Sequence, residues 1–328
     1  MVGSHFTQIE ETLFDGLGAW RITADSGATA LVAAAGATLI SWQPEPGKEV
    51  IAGYRSAADL QNTVASRSRI MVPWCGRIKD GSYRFRGKRY CFVGDTPGGA
   101  MHGLIGAQEF SRVSSPAALV LSAKIGGVPG YPWNFTVTVT FSLESGADGV
   151  EHLSVQITAK NTNSCEIPLA VGWHPYIKIP GMKSINKCRV EIPARTKILV
   201  DAQKIPRAGE AAYAGVQAPV VYEYLGSTQE DTSFRGLIPE DDGVVTSVVR
   251  DLGSNAEVRI SQEPALAPVL HMFTADGLPD GARESIALEP SSHLPDAFNR
   301  ADSVASVGLP AGGERTVTVT LSYRCNAG

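Results

Sequence analysis

Long apolar runs are missing: no uncharged, continuously apolar stretch approaches the roughly 18 to 20 residues that a membrane-spanning helix needs. Met1 to Thr7 shows no basic region leading into an apolar segment, so no export signal is read there and the cytoplasm is the expected location. Gly3-Ser4-His5 reads as an added leader, and His5 is given no functional weight. Charge of one sign is missing too. Lys and Arg total 29 against 33 Asp and Glu, a formal net charge of -4, and the basic residues are scattered, which leaves no stripe to neutralise a phosphate backbone and argues against a nucleic-acid partner. The five cysteines (Cys75, Cys91, Cys165, Cys188, Cys325) are too few and too widely spaced for a disulfide scaffold, and none forms a CxxC pair, so reduced thiols are expected. No HxH, HExxH or HxxxD spacing falls on a clear element, so no metal is expected. Helical periodicity is also absent: only Ser56 to Leu60 and Gln203 to Ala212 have room for short helical turns.

What is present is a repeated strand signal. Hydrophobic residues make up 43% and charged residues 19%, enough for a sizeable buried core. Short β-branched or alternating runs at Ala30 to Ala34, Thr38 to Trp42, Arg84 to Phe92, Ala118 to Lys124, Phe135 to Leu143 and His152 to Asn161 are punctuated by Gly, Pro, Asp and Asn. Alternation is clearest at Phe135 to Leu143 and Thr316 to Tyr323, where one face is apolar and the other carries hydroxyls. Many short strands without a βαβ rhythm predict an all-β fold, a large antiparallel β-sandwich with few short helices. No linker-like stretch divides the chain, so residues 1–328 are expected to form one domain, with residues 1–6 as a disordered or added start.

Four of the six histidines stand in distinctive contexts: His102 in Met-His-Gly, His174 in Gly-Trp-His-Pro-Tyr, His271 in Leu-His-Met-Phe and His293 in Ser-His-Leu. Any one of them alone is more often a packed core or loop histidine than a reactive one. Glu289 ends the apolar run Ile286-Ala-Leu, before Pro290, which is expected to stop the strand ladder. An apolar flank raises a carboxyl's proton affinity by desolvation, as a general base working near neutrality requires; the competing reading is a strand-end carboxylate in water. Arg77, in Pro-Trp-Cys-Gly-Arg-Ile, sits at a tight turn that presents a donor fork suited to sugar hydroxyls, or else to a surface ion pair. Asp231 follows a polar loop and has the chemistry to accept from a polyol, although most loop acids are idle.

Taken in chain order, these pieces resemble the aldose 1-epimerase (galactose mutarotase) family along nearly the whole chain. Gly36-Ala-Thr-Leu-Ile-Ser-Trp42 is similar to its early strand, and Gly76-Arg77-Ile78 with Gly81, Tyr83, Phe85 and Gly87 to its arginine-bearing hairpin. Met101-His102-Gly103, Gly172 to Tyr176, Asp231, and Leu288-Glu289-Pro290 through Asn299 are similar to its histidine, acidic and glutamate elements. The resemblance implies a galactose mutarotase-like supersandwich, an open cleft, no cofactor, and a small-molecule sugar as substrate. It implies that Glu289 removes the anomeric hydroxyl proton while protonated His174 donates to the ring oxygen. By the same resemblance Arg77 and His102 orient the ring oxygen and nearby hydroxyls, and Asp231 anchors a hydroxyl further round the ring.

Two departures bear on the substrate. Gly76 stands where many sugar mutarotases carry Asn, and His271 stands about where a Gln is common. An imidazole cannot copy an amide's paired donor and acceptor, so both departures weigh against galactose as the substrate. Arg84, Arg86, Lys88 and Arg89 suggest a phosphorylated sugar, but alternate strand residues face opposite ways and a solvated hairpin accounts for them better. Trp74, Trp173 and Phe273 are candidates for an apolar sugar platform, with core packing the commoner role. Two classes of function stay open: an epimerase of free aldoses, and a carbohydrate-binding or sensing module with little turnover. A lyase or hydrolase on the same sandwich would need other catalytic groups. Monomer or weak homodimer is the expected state.

Overall fold

The structure is a computed structural model and describes residues 7–92, 100–115, 117–146 and 149–325; the residues read above as a leader lie outside these. Strands dominate, and their order follows from where period-two sequence meets turn residues. Thr7–Phe14, Leu17–Ala24, Thr29–Ala33 and Thr38–Gln43 form a four-stranded antiparallel meander in chain order.

A nine-stranded antiparallel sheet is built around three long strands, Phe135–Ser145, Glu151–Asn161 and Glu314–Arg324. The alternating Phe135, Val137, Val139 and Phe141 are buried on one face while the intervening threonines are half-buried on the other. The C-terminal strand Glu314–Arg324 is paired on both sides, with Glu151–Asn161 and Glu257–Gln262, so it lies inside the sheet.

An eight-stranded sheet opposes it. Its path runs Tyr213–Gly215, Ala194–Ile198, Asp231–Leu237, Val269–Phe273, Ile286–Ser291, Gly172–His174, Arg69–Met71, with Tyr176–Ile177 also pairing Ile286–Ser291. Leu270, Met272, Ile286 and Leu288 join Val137, Val155, Ile157 and Val319 in one buried apolar cluster, which places the core between the two sheets. Strand side chains alternate, so the partners of those core residues, His271 and Glu289, point to the opposite face. The hydrophobic pattern that builds the core thus aims the polar residues into a cleft.

Three local expectations change. The run Arg84 to Phe92 is two strands, Ser82–Phe85 and Lys88–Cys91, because Arg86 and Gly87 both take positive φ (50° and 79°) in a two-residue hairpin turn. Pro290 does not stop the ladder: pairing with Val269–Phe273 continues to Ser291, and the strand on the other side meets it only at Ser291, so a missing N–H is tolerated. Of Gln203 to Ala212, only Gly209–Ala212 forms a 3₁₀ turn. The other short helix, Ala57–Gln61, is capped by Ser56, whose hydroxyl accepts from the Asp59 N–H at 3.1 Å. Among the described residues no helix is long and apolar enough to cross a membrane.

Candidate active site

One cleft of about 240 Å³ gathers all six residues singled out for a site: Arg77, His102, His174, Asp231, His271 and Glu289. They come from distant parts of the chain and meet because the eight-stranded sheet aligns them. Gly172–His174 and Val269–Phe273 flank Ile286–Ser291, bringing His174 and His271 to either side of Glu289. His271 and Glu289 are direct cross-strand partners, and Ser233 pairs His271 from the next strand out.

His174 and Glu289 are both almost fully buried, and His174 Nε2 lies 3.2 Å from Glu289 Oε1. Burial pushes the Glu289 carboxyl up to about 7, with the charge of His271 opposing and that of Asp231 adding. Burial, followed by the charge of His271, pushes His174 down to about 3. In the free cleft the proton therefore rests on the carboxyl, not on the imidazole. Among the described residues His174 Nδ1 is buried without a hydrogen-bond partner, and Nε2 is the ring atom that faces Glu289. The ring stacks on Tyr176 at 5.0 Å, whose hydroxyl donates to the Ala65 carbonyl at 3.0 Å, and meets His102 edge-on at 5.1 Å. His102, in turn, is pushed well below its ordinary value by burial and the neighbouring His174, and so is neutral.

Two turns hold the other wall. His102 has φ 55° and donates its backbone N–H to the Gly76 carbonyl at 2.8 Å, while Arg77 pairs with Met101. The Asp296 N–H donates to the Arg77 carbonyl at 2.7 Å, and Asp296 Oδ1 accepts from the Lys79 N–H at 2.9 Å, so the segment following Glu289 braces the arginine hairpin. Gly76 now has a physical reason. Its φ is +63°, and an added Cβ would lie 2.8 Å from the Pro295 side chain, so no asparagine fits this turn as built.

Asp231 is already engaged. His271 Nε2 lies 3.1 Å from its Oδ1 and Lys204 Nζ 3.4 Å from its Oδ2. Although burial works against ionisation, the hydrogen bond and charge of His271, with Lys204, hold Asp231 down to about 2. Lys204 and Ser233 were not singled out from sequence. Ser233 follows Asp231 by one strand period, a signal that was there to read, whereas Lys204 sits in an irregular segment with no pattern to mark it. Of the three aromatic candidates, Phe273 lines the cleft; Trp173 is core, its indole N–H donating to the Ser68 carbonyl at 3.1 Å, and Trp74 packs among Phe92, Tyr131 and Phe298. Arg84, Arg86, Lys88 and Arg89 are exposed on their hairpin, outside the cleft. Among the described residues no three His, Cys, Asp or Glu side chains are grouped to hold a metal ion.

Comparison with known proteins agrees with this architecture. An uncharacterized protein, YihR, from Escherichia coli K12 is 26% identical over 243 residues, 72% of this chain and 73% of YihR. A GalM/aldose epimerase homologue from C. elegans superposes with a TM-score of 0.78 at 17% identity, covering 97% of this chain and 99% of its own. A galactose 1-epimerase from Lactobacillus acidophilus NCFM gives 0.77 at 16% identity, with 98% and 99% covered. The aldose 1-epimerase family pattern matches residues 18–322, which takes in the whole cleft, and the chain belongs to the aldose 1-epimerase family.

Proposed function

We propose that this protein interconverts the α and β anomers of a free aldose by acid-base ring opening and reclosure. The observation that carries the reading is the buried contact of His174 Nε2 with Glu289 Oε1 at 3.2 Å, in a cleft whose other walls carry hydrogen-bonding side chains. With Glu289 at about 7 and His174 at about 3, the pair holds one proton over the intervening pH range. Transfer of that proton across the contact gives carboxylate and imidazolium, the base and acid the reaction needs.

Glu289 then takes the proton of the anomeric hydroxyl as His174 gives its proton to the ring oxygen. The C1–O5 bond breaks, the C1–O1 bond becomes the aldehyde, and no free oxyanion forms. Rotation beside the aldehyde presents its other face, and reclosure reverses both transfers. The groups exchange acid and base states at each half-reaction, so neither needs to be an extreme acid or base. Arg77, whose side chain makes no hydrogen bond among the described residues, and neutral His102 serve the ring oxygen and adjacent hydroxyls; Asp231 keeps acceptor positions beyond those used by His271 and Lys204. Phe273 gives the sugar an apolar wall.

The test follows optical rotation or NMR of freshly dissolved α-anomers of galactose, glucose, arabinose, xylose, rhamnose, fucose and glucose 6-phosphate. Acceleration of at least one, lost in Glu289→Gln, supports the reading. Sugar binding by calorimetry without any acceleration supports instead a binding or sensing module on the same fold.

A further inference from the structure

The histidine at position 271 has its two ring nitrogens in use before any sugar arrives. Nε2 faces Asp231 Oδ1 at 3.1 Å and Nδ1 faces Ser233 Oγ at 2.9 Å. A ring held at both nitrogens is poorly placed to donate to a substrate hydroxyl. It is well placed to act on its cross-strand partner Glu289, since directly opposed strand residues stand about 5 Å apart at Cβ. We propose that His271, clamped by Asp231 and Ser233, is a positioning residue that keeps a positive charge beside the Glu289–His174 pair and so sets the pH range in which the pair holds its single proton. This rests on the epimerase reading of the same cleft.

The surroundings single His271 out. From the strand on the other side of Glu289, His174 is neutral in the free cleft and the Tyr176 phenol is pushed up by burial, so neither supplies charge. The Cys75 thiol is likewise pushed up by burial and stays protonated, and His102 is held neutral. Three other cations approach. Arg69 sits behind the cleft with its guanidinium 3.2 Å from the Gly103 carbonyl, Arg77 lies on the opposite wall, and Lys204 is spent on Asp231 at 3.4 Å. His271 alone combines ladder register with Glu289 and a carboxylate partner of its own. Burial disfavours its charged form, but the charge of Glu289 where that carboxyl is ionised, with the hydrogen bond and charge of Asp231, outweighs this and raises its proton affinity. Its charge lowers both Glu289 and His174. Lys204, by capping the far oxygen of Asp231, limits that carboxylate's opposing effect.

The consequence has a definite sign. Removing a cation raises the proton affinity of both members of the pair, so His271→Gln moves the basic limb of the kcat/KM profile upward by about one pH unit. His271→Lys, which restores charge without an imidazole, returns the limb toward its original position. A residue that only bound sugar would raise KM and leave the limb where it was, and that result overturns the proposal. The Glu289 carboxyl is also followed directly by NMR of protein labelled at glutamate side-chain carbons. An upward shift of its titration in His271→Gln supports the proposal even if no sugar is turned over, and an unchanged titration refutes it even if one is. Circular dichroism of each variant checks that the fold is intact.

Discussion

Replacing Glu289 with glutamine is expected to inactivate the protein and, above neutral pH, to stabilise it. The carboxyl is almost fully buried and is raised from 4.5 to about 7, which means the fold resists its ionisation. A displacement of that size corresponds to roughly 3 kcal/mol. The sign follows from the raised value. Below the unfolded-state value both states are protonated and the wild type keeps its full stability. That stability is lost progressively as pH rises through the folded-state value, because only the unfolded chain ionises freely. Glutamine has the same shape and no charge to bury, so the variant escapes this loss. At about 2.1 cal/mol/K per residue, the unfolding entropy of 328 residues is near 0.7 kcal/mol/K, and roughly 3 kcal/mol becomes a Tm increase of about 4 to 5 °C. The assay is a thermal melt of both proteins at pH 5 and pH 8. The variant should exceed the wild type by about 1 °C at the lower pH and by the full amount at the higher. Equal melting points at pH 8, or a variant less stable there, would refute the claim that Glu289 is a desolvated carboxyl under tension.

Three other predictions follow from the geometry. Because the pair must hold one proton, kcat/KM should rise as pH increases through about 3 and fall again through about 7, so a rate that keeps climbing above pH 8 contradicts a one-proton pair. Gly103 has φ +73° and an added Cβ would lie 2.1 Å from the Val72 carbonyl oxygen, so Gly103→Ala should cost about 2 kcal/mol or more and displace His102, read as a lower Tm together with a lower kcat/KM. Exhaustive chelation should leave the rate unchanged, since the proposed chemistry is carried by His174 and Glu289; loss of rate restored by added metal would overturn it.

Much of the sandwich was legible because its signal is local. Phe135 to Leu143 and Thr316 to Tyr323 alternate cleanly, and alternation directly states that one face is buried. Where the backbone needs an unusual conformation at a residue other than glycine, the pattern is silent: Arg86 at positive φ gives no warning of its own, so the continuous run Arg84 to Phe92 does not show where its hairpin turns. Pro290 misled for the opposite reason, since its usual exclusion from ladders does not apply where the neighbouring strand hardly pairs. Motif order singled out the six candidate residues, and it records which side chains line the cleft but not how charge is distributed within it. That the proton rests on Glu289, or that Asp231 is occupied by Lys204 and His271, depends on distances across three strands and a loop and has no counterpart in a one-dimensional pattern.

The central claim, that His174 and Glu289 act as an acid-base pair on a sugar ring, is tested most directly by the relaxation of freshly dissolved α-anomers with wild-type protein and Glu289→Gln side by side. The account predicts that at least one aldose in the panel equilibrates faster with the wild type, and that the glutamine variant loses about 100-fold or more of that enhancement. An enhancement that survives in Glu289→Gln, or none for any sugar that binds, would contradict it.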